Sequence, residues 1–129
     1  MNREIEFRGK RLDNDEWMYG DLMHDNQGGC YIYPLDAENL YTENKVASDS
    51  VGQFTGLRDK HGVKIFEGDV VRIYDSDYEE YSDQQVKFAH GVFGVDNWTK
   101  KYLTTLSFFL TGGDSEYSVE VIGNIHDTK

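Results

Sequence analysis

Sulfur, proline and positive charge are all scarce in this chain of 129 residues, and each scarcity excludes something. Cys30 is the only cysteine, so no disulfide can close within the chain and no thiolate-based metal site can be assembled. That usage fits a reducing cytoplasm. Pro34 is the only proline, which removes Pro-rich linkers and leaves 13 glycines to turn the chain. No apolar run approaches the roughly 20 residues of a membrane span. Met1-Asn2-Arg3-Glu4 lacks the apolar core of a secretory signal. The expectation is a soluble cytoplasmic protein with no membrane partner. Lys and Arg number 13 against 24 Asp and Glu, a net charge of −11. A field of that sign repels phosphate backbones and makes nucleic acid an unfavoured partner. It suits plain solubility, a basic protein partner, or imitation of nucleic-acid charge.

What is present points to short strands. Aromatics make up 14% of the chain, and tyrosine, at 9, is the commonest. Tyrosine favours strands and half-buried surfaces. The length suits one domain, 1–129, of mainly β class. Over Glu4 to Leu22, Ile5 and Phe7 alternate with charged residues and Asp13-Asn14-Asp15 supplies a turn. Trp17 and Tyr19 then return on one face with Met18 on the other, which predicts an N-terminal hairpin over 4–22. Gly28-Gly29 turns the chain again before Cys30 to Tyr33, a strand closed by Pro34. Asp36 to Asn44 reads as a loop with one helical turn over Asp36 to Leu40.

The densest punctuation lies in Val51 to Tyr74. Gly52, Gly56, Gly62 and Gly68 fall where the backbone is expected to bend sharply or take a positive φ. Phe54, Leu57, Ile65, Phe66, Val70, Val71 and Ile73 lie between them as core. Asp59-Lys60-His61-Gly62 reads as a type I turn ending in a left-handed glycine. Glu67-Gly68-Asp69 is a second turn, feeding a strand from Val70 to Tyr74. An apolar pair, an acidic-Gly-Asp turn and a β-branched strand in this order suggest a small SH3-like β-barrel, centred on 51–74 and 85–96. In the second of these segments Val86 and Phe88 are expected to face inward, with His90-Gly91 as the turn before Val92 to Val95. Asn97 to Leu110 carries both periods. The expectation there is one short helix over Thr104 to Leu110, stopped at Gly112-Gly113. A last strand over Tyr117 to Ile125 kinks near Gly123.

Residues that carry chemistry are dispersed. His24, His61, His90 and His126 show no metal-pair spacing. Asp75, Asp77 and Glu79 alternate like the start of a calcium loop, but an EF-hand needs Gly and Glu where Glu80 and Val86 stand. Phosphate-loop spacing and a nucleophile elbow are both missing, and Cys30 has no neighbouring histidine. No catalytic, cofactor-binding or metal-binding residue is assigned and no cofactor is expected. Asp59, Glu67 and Asp69 suit turn capping better than acid-base work. Asp75 to Gln84, the most acidic segment, reads as a long exposed loop. Tyr74, Asp75, Asp77, Tyr78, Glu79, Glu80, Tyr81 and Asp83 form the candidate protein-binding surface. Rings among carboxylates suit an Arg- or Lys-rich partner.

Three blocks carry a family likeness. F-R-G-K-R-L-D-N-D-E-W-M-Y-G-D-L (Phe7 to Leu22), V-G-Q-F-T-G-L-R-D-K-H-G-V-K-I-F-E-G-D-V-V (Val51 to Val71) and V-I-G-N-I-H (Val121 to His126) together resemble the YopX family. They stand in the family's order and span most of the chain. The resemblance implies a phage or prophage origin, a bacterial cytoplasm and an SH3-like barrel around the central block. It also implies a variable region between Asp75 and Ser118, and it brings no catalytic residues. The functional expectation is a non-enzymatic interaction module, capable of forming a homo-oligomer, whose acidic surface binds a host or phage protein. A metal-dependent enzyme using dispersed carboxylates and a nucleic-acid-binding protein are the alternatives.

Overall fold

The structure, a computed structural model, describes residues 3–34, 44–96, 103–111 and 117–127. The helical turn expected over Asp36 to Leu40 and the Gly112-Gly113 stop lie outside them. The described chain is mainly β, with one short α-helix, and falls into two units that divide after Phe54.

In the first unit the expected N-terminal hairpin forms from β1 (Phe7–Lys10) and β2 (Trp17–His24), with Gly9 opposite Met18. Its turn closes because Asp15 accepts a left-handed φ of 59° and the Asn14 carboxamide accepts the Glu16 amide at 3.0 Å. β3 (Cys30–Tyr33) and β4 (Lys45–Val46) follow, and β5 (Gly52–Arg58) begins against β1 through Arg8↔Gly52 and Phe7↔Gln53. β1 to β4 lie in sequence order, each beside the next, β5 crosses back to the free side of β1 to give the order β4-β3-β2-β1-β5, and the pairings among them are antiparallel. Cys30, Ile32 and Val46 are buried, and Phe7, Met18, Leu22 and Val51 pack against them. Alternation produces this. Met18 and Leu22 point into the cluster, while Trp17 turns the other way and lies under the Arg8 guanidinium at 4.6 Å. Gly9 sits where a β-carbon would come within 2.8 Å of a Val46 methyl, so no larger residue fits beside β4.

β5 carries the chain into the second unit, where β6 (Lys64–Phe66) lies beside it and the Thr55 hydroxyl donates to the Ile65 carbonyl at 2.8 Å. The Asp59-Gly62 turn is the expected one: Gly62 has φ +83° and its amide donates to the Asp59 carbonyl at 3.0 Å. Gly56 and Gly68 are also left-handed, at +88° and +92°. Gly52 is different, since it is paired to Arg8 within β5 and bends nothing. β7 (Asp69–Asp75) occupies the middle of a three-stranded antiparallel sheet between β8 (Glu80–Gln85) and β12 (Tyr117–Asn124). The kink expected near Gly123 is a register shift between Val121 and Gly123. β9 (Lys87–Ala89), β10 (Val92–Asp96) and β11 (Leu103–Thr105) form another three-stranded sheet. The helix α1 spans Leu106–Thr111, two residues later than expected at its start, because Thr104 and Thr105 are taken by pairing with Val95 and Gly94.

Ile65, Val71, Ile73, Val86, Val95, Leu106 and Val119 form the buried core of this unit. Burial of each such aliphatic side chain contributes about 1.5–3 kcal/mol. Two expectations need correction. Phe88 is 52% exposed instead of inward, since the chain steps out of β8 at Val86 and the alternation restarts in β9. Asp75 to Gln84 is no loop: β7 and β8 pair from Val70↔Gln85 to Asp75↔Glu80, with only residues 76–79 in the turn. Among the described residues no sheet closes on itself, and the open sheets leave the expected SH3-like barrel unestablished.

Candidate protein-interaction site

The site is the hairpin of β7 and β8, and its register sorts the eight expected surface residues into three groups. Side chains alternate along each strand, so directly paired residues share a face. Tyr74 and Tyr81 pair on the outer face, followed by Arg72 and Asp83. Asp75 and Glu80 pair on the inner face, where β12 adds Tyr117 to the same row. Asp77, Tyr78 and Glu79 occupy the tip, which is solvent-exposed. Tyr78 is 77% exposed and Tyr81 62%. Glu79 takes φ 52°, and the Asp75 carboxylate accepts the Asp77 amide at 3.0 Å, which shapes the turn. The structure therefore brings all eight onto one hairpin but does not place them on one surface.

The outer face is internally satisfied. Arg72 donates from Nε and from an η nitrogen to the two oxygens of Asp83, at 2.8 and 3.0 Å, and its guanidinium lies 4.5 Å from the Tyr81 ring centre. The hydrogen bond from Arg72 holds the Asp83 carboxyl below its usual range, and Asp83 raises Arg72 in turn. Arg72 went unassigned in the sequence reading, although its alternation with Tyr74 placed it on the same face. Glu120 of β12 is likewise 3.8 Å from Lys60 and 3.5 Å from His61.

The inner face borders a cavity of about 300 Å³. Asp75, Glu80 and Asp96 supply carboxylates, and Phe108, Phe109 and Tyr117 supply rings. Phe109 meets Tyr117 edge-on at 5.1 Å and Phe108 edge-on at 5.2 Å. Asp96 is paired with Lys87 at 2.9 Å. The sequence reading missed Asp96, Phe108, Phe109 and Tyr117 as site residues. The only signal was the Phe108-Phe109 doublet, whose direction depends on where α1 begins.

The turn carboxylates do a different job. Asp59 accepts the amides of His61 at 2.8 Å, Val63 at 2.9 Å and Val121 at 2.9 Å. Burial pushes its carboxyl up, but the bonds from Val121, Val63 and His61 outweigh that and leave it below the ordinary value. Asp69, 2% exposed, accepts the Phe66 amide at 2.7 Å. These two are structural, as turn capping predicts. Among the described residues no three His, Cys, Asp or Glu side chains gather closely enough to hold a metal ion, and no helix is long and apolar enough to cross a membrane. Cys30 is buried.

Antiparallel sheets joined by Asp- and Gly-centred turns, with one acidic aromatic hairpin, define a small mainly β protein. The chain belongs to the YopX family, whose profile, described as YopX protein, matches residues 6–129. The crystal structure of YopX from Bacillus subtilis is similar at 23% identity with a TM-score of 0.57, covering 97% of this chain and 94% of that one. A crystal structure of an Enterococcus faecalis protein is similar at 24% identity and a TM-score of 0.60, covering 95% and 94%. Those likenesses concern the fold. No curated protein matches the chain.

Proposed function

We propose that this chain is a non-enzymatic interaction module of phage or prophage origin, acting in the bacterial cytoplasm. Its β7–β8 hairpin engages a basic segment of a host or phage protein. The observation that carries the reading is the tip: Asp77, Tyr78 and Glu79 stand exposed together, Tyr78 at 77%, on a chain of net charge −11. Rings beside carboxylates attract guanidinium and ammonium groups, and the long-range field raises encounter rates. Arg72 sharpens the reading, because its pairing with Asp83 leaves the tip and the inner row as the uncompensated acid of the hairpin. Self-association belongs to the same reading, with exposed rings such as Phe88 as contacts.

The test uses a hexa-arginine peptide as probe at low and at physiological salt. Binding should fall when Asp77→Asn and Glu79→Gln are introduced together. It should hold when Asp15→Asn and Asp49→Asn remove the same charge elsewhere. Equal losses from both pairs would reduce the effect to bulk charge and sink the proposal. Affinity capture from a bacterial lysate, with the Asp77 and Glu79 variant as control, would then identify the natural partner.

A further inference from the structure

The two faces of the hairpin sheet differ in one respect that points to a ligand. On the outer face a guanidinium is already held by a ring and a carboxylate: Arg72 over Tyr81 at 4.5 Å and doubly bonded to Asp83. On the inner face the same kinds of group recur around a cavity of about 300 Å³. Asp75 and Glu80 face each other across the strands, with Phe108, Phe109 and Tyr117 beside them. No Arg or Lys lines the cavity among the described residues. The cavity is at the small end of the range for ligand sites. Its mixture of ring faces and carboxylates is the environment in which a planar, weakly hydrated cation is best held.

We propose that the inner-face cavity is the anchor pocket for one arginine side chain of the basic partner, its guanidinium between the aromatic wall and the Asp75–Glu80 carboxylates. This rests on the interaction reading above and makes it specific. Arginine fits better than lysine because a flat guanidinium can lie on a ring and bond a carboxylate at once, as Arg72 does. The occupant is a protein side chain, since the cavity is bordered by the last cross-strand pair before the acidic tip. A chain entering there would carry further positive charge past Asp77 and Glu79. Asp96 is a lesser contributor because Lys87 already neutralises it.

The experiment follows the aromatic proton signals of the full chain by NMR while N-acetyl-arginine amide, its lysine counterpart, and hexa-arginine or hexa-lysine peptides are added. The arginine probes should shift the signals of Phe108, Phe109 and Tyr117, and hexa-arginine should bind about tenfold more tightly than hexa-lysine. Glu80→Gln, at an exposed position, and Phe108→Ala, at a side chain 55% exposed, should each weaken hexa-arginine roughly tenfold. The ring shifts in the unaltered protein need no variant to fold. If hexa-arginine binds through Asp77 and Glu79 while the three rings stay unshifted and Glu80→Gln is silent, the pocket falls and the interaction surface stands. If the single arginine shifts the rings while peptide binding ignores Asp77 and Glu79, the surface reading falls and the pocket stands. Equal affinity for the arginine and lysine probes would overturn the assignment to arginine.

Discussion

Asp59 and Asp75 lie on the same unit, sixteen positions apart, and each accepts the amide two residues on, but only Asp59 goes on to bond further backbone. Asp59 spends both oxygens on backbone amides, and one of them joins its own turn to Val121, 62 residues away. Asp69 repeats the pattern on Phe66, while the backbone around it is held by Val86 donating to the Asp69 carbonyl and Ile125 to that of Gly68. Asp75 and Glu80 instead border open volume, and Asp77 and Glu79 stand in solvent. Carboxylates of the central stretch hold strands together; in the hairpin Asp83 is taken by Arg72 and, among the described residues, Asp75 bonds only the Asp77 amide, so the tip and the inner row keep acceptor capacity for a partner. The difference comes from position relative to backbone ends. A carboxylate inside a tight turn, as at Asp59, finds several unpaired amides within reach, whereas one at a strand end, as at Asp75, finds only one amide of the following turn.

That contrast predicts its largest effect at Asp59. Asp59→Ala leaves three amides without their acceptor and should cost about 3 kcal/mol, read as a lowered midpoint in urea unfolding. Asp77→Ala should change the same midpoint by no more than about 0.5 kcal/mol. Comparable losses at both positions would erase the distinction. Gly68→Ala comes next. At φ +92° any β-carbon is strained, and about 1–2 kcal/mol of destabilisation is expected in the same assay.

The pH dependence follows from the same bonds. The folded-state pKa of Asp59 is depressed below its ordinary 3.8. Its contribution to stability is therefore complete above the unfolded value and is lost as pH falls through the folded one. Thermal midpoints of the unaltered protein should decline below about pH 4, and Asp59→Asn should flatten part of that decline. A decline of unchanged steepness in Asp59→Asn would assign the acid sensitivity to other groups.

How much of this was legible from the sequence follows physical lines. Asp59-Lys60-His61-Gly62 and Glu67-Gly68-Asp69 were readable as turns because their geometry is encoded within four residues. Asp75 to Gln84 was misread as a loop because almost nothing in it is apolar, and periodicity is a signal carried by apolar side chains. What makes it a strand is the partner strand: Arg72 reaches Asp83 and Tyr74 faces Tyr81 across eleven and seven residues. No window of local sequence contains those contacts. The pocket was less accessible still, since it joins Glu80 to Phe108 and Tyr117, whose directions depend on α1 starting at Leu106 and on the register of β12. The Phe88 error has the same source, a break in alternation at Val86 that is set by Val86 bonding to Asp69 and Gly68.

The smallest effect sharpens the comparison from its other side. Arg72 and Asp83 form a bidentate pair with good distances, yet both side chains are substantially exposed, at 42% and 38%. Exposed pairs lose most of their attraction to solvent and salt. Asp83→Asn should therefore shift the unfolding midpoint less than Asp59→Ala or Gly68→Ala, and the shift should fade in high salt. Its consequence for binding should run the other way. Once Asp83 no longer holds it, the Arg72 guanidinium remains beside Tyr81 as a positive charge on the rim of the acidic surface. Hexa-arginine should then bind more weakly even though the carboxylate changed lies outside the tip. Unaltered binding in Asp83→Asn would mean that the outer face lies beyond the reach of the partner, and that only the tip and the inner row count.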